Sequence, residues 1–170
     1  MSGFGGWSFE ETCFNYIRDL LPDGSTILEL GSGFSTGQLA KYYKMYSIED
    51  GKNWIGKYDS TYTHAPILYY NTEFSAPEGI PHQKAWYNPH IVKSFLDKIE
   101  KYDLILVDGP NGGAYGRGGF YKYLDWFETD IPIIFDDVNR KAERILMEKV
   151  SEKLNRDCII LDDKITGIIL

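Results

Sequence analysis

Between Ser25 and Leu170 short apolar runs alternate with segments of helical period, and this alternation constrains the fold more than any other feature. "TILEL", "KMYSIED", "APILYYN", "YDLILVDG" and "IPIIFDD" read as five successive strands with helical segments between them. The fourth is a near-continuous apolar run, the pattern of a strand covered on both faces. Strands separated by helices pair parallel, because a parallel neighbour needs a long crossover. The last two runs, "CIIL" and "ITGIIL", are joined through a tight "DDK", too short for a crossover, so they must pair antiparallel. The expectation is a Rossmann-like, doubly wound, mostly parallel sheet of about seven strands in a three-layer α/β/α arrangement, ending in a C-terminal antiparallel hairpin.

The helical segments carry their own signals. "SFEE" predicts a capping box from Ser8 to Glu11, followed by Phe9, Cys13, Tyr16, Ile17 and Leu20 on one face and a stop at Pro22-Asp23-Gly24. Ser35 or Thr36 is placed to cap the helix after the first strand, and a short helix is expected around "GKNWIGKYDS". Asn88 and Pro89 stand in the preferred cap and first-turn positions of another. Phe120 to Phe127 reads as helical, as does the segment from Asn139 that carries Ala142, Ile145, Leu146, Val150 and Leu154 on one side. Thr72 to Tyr87, interrupted by Pro77 and Pro81, reads as an irregular surface or functional loop. At 170 residues the chain is expected to be one domain, with residues 1–24 as a helical cover.

A formal charge of −7 without clustered Lys and Arg argues against nucleic acid. Neither a membrane-length apolar run nor a basic amphipathic helix is present, so no membrane partner is expected. With no signal-like N-terminus, the expected compartment is the cytoplasm, and Cys13 and Cys158 read as reduced thiols. A small-molecule substrate is the default.

In an open α/β sheet the ligand sits beyond the carboxyl ends of the strands, where strand order reverses. There the sequence places Gly31-Ser32-Gly33 after the first strand, with Thr36 where a dinucleotide fingerprint would require a third glycine. Three acids end strands at the same edge: Glu29, Glu49 and Asp108. A carboxylate at the end of an apolar strand is costly unless something uses it.

These motifs resemble those of class I S-adenosylmethionine-dependent methyltransferases. "ILELGSGFST" is similar to their first motif, "YSIEDGKNW" to their second and "YDLILVDGPNG" to their fourth. Within them, "VDGPNG" followed by an arginine and "IIFDDVNRKAE" resembles a small group with an Asp-Gly-Pro motif related to the glucuronoxylan O-methyltransferases. The resemblance implies S-adenosylmethionine as cofactor. It places Gly31, Ser32, Gly33, Ser35, Thr36 and Asp108 around it, Glu29 near the methionine ammonium, Glu49 with Asp50 at the ribose, and adenine near Asn71.

For an alcohol acceptor the difficulty is the hydroxyl proton, met by a general base or by a metal. Asp108 or His82 would be the base. Asp108, Asp136 and Asp137 would hold Mg2+, a layout that resembles the catechol and caffeoyl-CoA O-methyltransferases, which have Asp-Asn where this chain has Asp136-Asp137. His90, in a first helical turn, reads as a surface residue. Trp86 and Tyr87 are candidate substrate contacts, and Arg117 a clamp for an acidic substrate group. The aromatics of "FYKYLDWF" read as core. With no large insertion, either the acceptor is small or a second copy of the chain completes the pocket, which leaves a homodimer open. The reading is an O-methyltransferase acting on a small or sugar-like acceptor; the alternatives are an NAD-dependent oxidoreductase and a non-catalytic cofactor-binding or assembly protein.

Overall fold

A computed structural model describes residues 9–170. Its main sheet has seven strands. Five are parallel: β1 (Thr26–Leu30), β2 (Lys44–Glu49), β3 (Thr61–His64), β6 (Leu104–Val107) and β7 (Ile133–Phe135). The last two, β8 (Cys158–Ile160) and β9 (Gly167–Ile169), form the expected antiparallel hairpin, with β9 antiparallel to β7. The order across the sheet is β3-β2-β1-β6-β7-β9-β8, so strand order reverses between β1 and β6. The turn joining the hairpin is held by Asp163, whose Oδ1 accepts from the amides of Ile165 and Thr166 at 2.8 Å each.

Alternation along each strand sends side chains into two cores. On one face Ile27, Met45, Leu104, Leu106, Ile134 and Ile168 pack under α1 (Glu11–Leu20) and α2 (Phe34–Leu39). On the other, Leu28, Leu30, Ile48, Ile105 and Val107 pack under α3 (Pro89–Leu96), α4 (Gly119–Lys122) and α5 (Lys141–Leu154). Cys13 is buried in the first core; both cysteines are free thiols. The cap of α3 is as expected, with Asn88 Oδ1 accepting from the His90 amide and Pro89 in the first turn. Helix α1 begins at Glu11; Ser8, proposed as its cap, lies outside the described residues.

The structure corrects four expectations. The third strand of the main sheet is "TYTH" rather than "APILYYN". As an edge strand it pairs on one side only and is at most half-buried, so it needs no apolar run, and its polar, β-branched sequence carried no signal of burial. Residues from "APILYYN" instead form β4 (Ile67–Tyr69), which pairs antiparallel with β5 (Ala85–Tyr87) in a separate ribbon, so the end of the supposed irregular loop is a fully buried strand. The segment "GKNWIGKYDS" forms successive turns, such as Trp54 N–H to Gly51 O at 2.9 Å, and Gly56 at φ +72° breaks any helix. Phe120 to Phe127 divides into α4 and a 3-10 turn at Leu124–Trp126.

Register positions the site. Leu30 is level with Ile48 on β2 and Val107 on β6, and Val107 with Phe135 on β7. The residues that follow these, Gly31, Glu49, Asp108 and Asp136, therefore end their strands in one row. The Gly31, Asp108 and Asp136 amides remain in the sheet, donating to Ile48 O, Leu30 O and Val107 O at 2.8, 3.0 and 3.1 Å.

Candidate active site

A crevice of about 550 Å³ opens over that row, at the reversal of strand order. Gly31, Ser32, Glu49, Asp50, Gly51 and Trp54 form one half; Asp108, Gly109, Asn111, Arg117, Asp136 and Asp137 stand in the other.

The first half is built from backbone. Gly31 has φ +93°, and a Cβ there would lie 3.0 Å from both the N and Cα of Gly109, so the turn needs glycine for conformation and for space. Gly33 caps α2, and its amide donates to Thr36 Oγ1 at 3.0 Å. The Glu49 carboxylate bridges two turns, accepting from the amides of Ser32 and Gly51 at 2.6 Å each. Burial pushes its pKa up, while these two amides favour the ionised form.

Glu29 takes another course. Strand alternation turns it to the α1/α2 face, level with Ser47 on β2. Its Oε1 accepts from Thr36 Oγ1 at 2.8 Å and from Ser47 Oγ at 2.5 Å. It is 1% exposed and does not line the crevice, and burial raises its carboxyl to about pKa 8. It supports the turn from beneath, which corrects the expectation that it meets the ligand's ammonium group. Ser35 and Thr36 are likewise buried behind the lining. Asn71 does not line the crevice, and its Oδ1 is taken up by the amides of Glu73 and Phe74. Trp54 stands on the lining instead, a residue the second motif contained and whose place only the turns after β2 reveal.

The second half is built from charge. Asp108, Asp136 and Asp137 each offer a carboxylate oxygen, all within 4.8 Å of one another. Arg117 reaches into their midst and is 5% exposed. Its Nη2 donates to Asp137 Oδ2 at 2.9 Å and Asp108 Oδ1 at 3.3 Å, its Nη1 to Asp136 O at 3.0 Å and its Nε to Pro110 O at 3.2 Å. Arg140 adds a second cation, 3.0 Å from Asp137 Oδ2. Burial and the neighbouring Asp136 push the Asp108 carboxyl well up, with Arg117 opposing, and burial beside Asp137 also raises Asp136. Asp136 Oδ1 and the Tyr87 hydroxyl are buried in the crevice wall without a hydrogen-bond partner.

Two charged groups beside the acid cluster were not predicted. Arg140 lines the crevice, and Glu143 of α5 is buried close to Gly112 and to Arg117. Glu143 was hidden in the sequence by an amphipathic helix in which an acid reads as solvated.

The donor set resembles that of an oxygen-seeking ion, but Nη2 of Arg117 already spans two of the three carboxylates. A divalent ion drawing on all three would be pressed against a guanidinium that burial and four hydrogen bonds hold in place. The residues do not fit Mg2+. The same bonds leave Arg117 committed to the protein's own acids, which removes the expected clamp for an acidic substrate.

The remaining predicted residues divide. Tyr87 lines the crevice. Trp86 does not: pairing of β5 with β4 buries it completely, and its ring stacks on Tyr123 at 5.4 Å. His82 is exposed in a left-handed turn (φ +58°) away from the crevice, which removes it as a base. His90 is exposed, as expected.

No protein-family model matches the sequence, and no curated protein sequence matches it. Solved structures do share its shape. The MycE methyltransferase from the mycinamycin biosynthetic pathway, in complex with Mg, SAH and mycinamycin VI, superposes with TM-score 0.60 at 10% identity, over 98% of this chain and 50% of that one. A precorrin-6y C5,15-methyltransferase from Geobacter metallireducens GS-15 gives TM-score 0.53 at 14% identity, over 95% and 87%. The SAH-bound methyltransferase PaMTH1 of Podospora anserina gives 0.50 at 15%, over 91% and 74%. The chain thus spans half the length of the MycE chain. With its seven-stranded sheet, terminal hairpin and crevice at the strand reversal, the chain has the Rossmann-like α/β fold of S-adenosylmethionine-dependent methyltransferases.

Proposed function

We propose that this protein is an S-adenosylmethionine-dependent methyltransferase that O-methylates a small, hydroxylated or sugar-like acceptor. One observation carries the reading: a single crevice, at the strand reversal, holds the Glu49 carboxylate on one side of the Gly31 turn and the Asp108 carboxylate on the other. Glu49 ends β2, where a carboxylate receives the hydroxyls of a ribose. Its attachment to two backbone amides fixes its position before any ligand arrives, and Trp54 offers an aromatic face beside it. The volume suits a nucleoside-sized ligand with a compact acceptor. S-adenosylmethionine, when bound, supplies a methyl group on a sulfonium, ready for displacement.

The chain's own part is to orient an acceptor hydroxyl and take its proton. Asp108 is the candidate acceptor of that proton: it stands at the end of β6 in the crevice, its carboxylate oriented by Arg117 Nη2 at 3.3 Å. The acid-rich lining of this half favours neutral, hydroxyl-bearing acceptors over anionic ones, because Arg117 is already engaged.

Calorimetric titration with S-adenosylhomocysteine, S-adenosylmethionine and NAD tests the cofactor. Micromolar binding of the first two, weakened roughly ten- to a hundredfold in Glu49→Ala, is expected; binding of NAD alone overturns the reading. Release of S-adenosylhomocysteine over a panel of polyols, sugars and phenols then tests the acceptor, with turnover abolished in Asp108→Asn.

A further inference from the structure

Three carboxylates at one end of a crevice, with Glu143 buried behind them, need a cation close by. A diffusible ion is one source and a side chain is another. Here the loop between β6 and α4 delivers a side chain. Gly116 takes φ +91°, and the Gly118 amide is fixed by Gln83 Oε1 at 2.7 Å, so the residue between them is turned inward. Arg117 enters with its planar fork spread over four acceptors from two segments: the turn after β6 (Asp108 Oδ1 and Pro110 O) and the turn after β7 (Asp136 O and Asp137 Oδ2). A point charge such as lysine's has no such fork.

We propose that Arg117 is the resident cation of this cluster, a positioning residue that holds Asp108 and Asp137 as a divalent ion would, and that the site works without a divalent metal. Asp137 contributes to the same arrangement from an unusual backbone, with φ +63°, which directs its carboxylate back over Arg117 and Arg140. The inference rests on the methyltransferase reading only for the reaction it serves; the metal test does not depend on it.

That test is an Mn2+ titration followed by electron paramagnetic resonance, on wild type, Asp136→Asn, Arg117→Lys and Arg117→Met. S-adenosylhomocysteine calorimetry is run beside it, with and without chelator. Wild type is expected to show no micromolar Mn2+ site and the same ligand affinity in chelator. Arg117→Met is expected to acquire an Mn2+ site and to gain thermal stability when Mn2+ is added, whereas Arg117→Lys, which keeps the charge, acquires none. A single micromolar Mn2+ site in wild type that disappears in Asp136→Asn overturns the proposal, even if Arg117→Met does not fold. A folded Arg117→Met that binds no Mn2+ overturns it as well. Failure of S-adenosylhomocysteine to bind would remove the methyltransferase reading and leave the Mn2+ result standing.

Discussion

The two halves of the crevice hold their carboxylates by different means. At the β1–β2 side Glu49 is fixed by two backbone amides, those of Ser32 and Gly51. At the β6–β7 side Asp108 and Asp137 are fixed by the guanidinium of Arg117, which arrives from a different loop. Amide donors come with the turn that Gly31 makes possible and tolerate many side chains around them. A guanidinium donor depends on one residue and on every contact that turns it inward. The first half should therefore resist side-chain substitution and fail on backbone change, and the second should do the reverse.

Removing the side chain on which the second half depends is the severest test. Arg117→Met leaves buried acids facing one another, at an expected cost of about 3–5 kcal/mol in urea unfolding. Gly31→Ala probes the first half through its backbone. Strain at positive φ and the approach to Gly109 should together cost about 2–3 kcal/mol and weaken S-adenosylhomocysteine binding in the same protein. Glu49→Ala tests the carboxylate itself: calorimetry should show affinity reduced by roughly ten- to a hundredfold, with about 1–2 kcal/mol lost in urea unfolding because the Ser32 and Gly51 amides lose their acceptor.

Glu29 gives a pH signature to the first half alone. Its carboxyl lies at about 8 in the folded chain against 4.5 for the free group, because burial disfavours the charge. Between those values the folded protein keeps a proton that the unfolded chain releases, so this group's contribution falls as pH rises through the window. The slope should be at most about 1.4 kcal/mol per pH unit, and Glu29→Gln should flatten it in unfolding curves taken from about pH 5 to about pH 8. Equal slopes in the two proteins would mean that the two hydroxyl donors keep Glu29 ionised. The smallest effect is expected of Tyr87→Phe. Its hydroxyl is buried without a partner, so its loss should leave stability within about 1 kcal/mol, while an affinity loss for S-adenosylhomocysteine would show that the hydroxyl meets the ligand.

How much was legible from the sequence follows the same division. The central strands of the main sheet announced themselves because a strand covered on both faces must be apolar throughout, as Leu104–Val107 are. The edge strand Thr61–His64 did not, because its position exempts it from that requirement. Gly31 and Glu49 could be placed because a turn and a strand end are local features. Trp86 was misread: whether an aromatic beside a loop covers a ligand or fills a core depends on what pairs with it, here β4. His82 failed for a related reason, since nothing local reveals which way a loop faces.

The parallel sheet, the terminal hairpin and the row of acids at the strand ends could all be read from the chain before it was folded. Periodicity, connection length and the cost of burying charge are properties of neighbouring residues, and they act before the chain is folded. What could not be read there is that Glu29 faces α2 rather than the crevice, and that Arg117 bridges the carboxylates of Asp108 and Asp137. Both outcomes turn on strand register and on loops that meet in space from distant parts of the chain, and the partner of a buried charge is settled only when those parts come together.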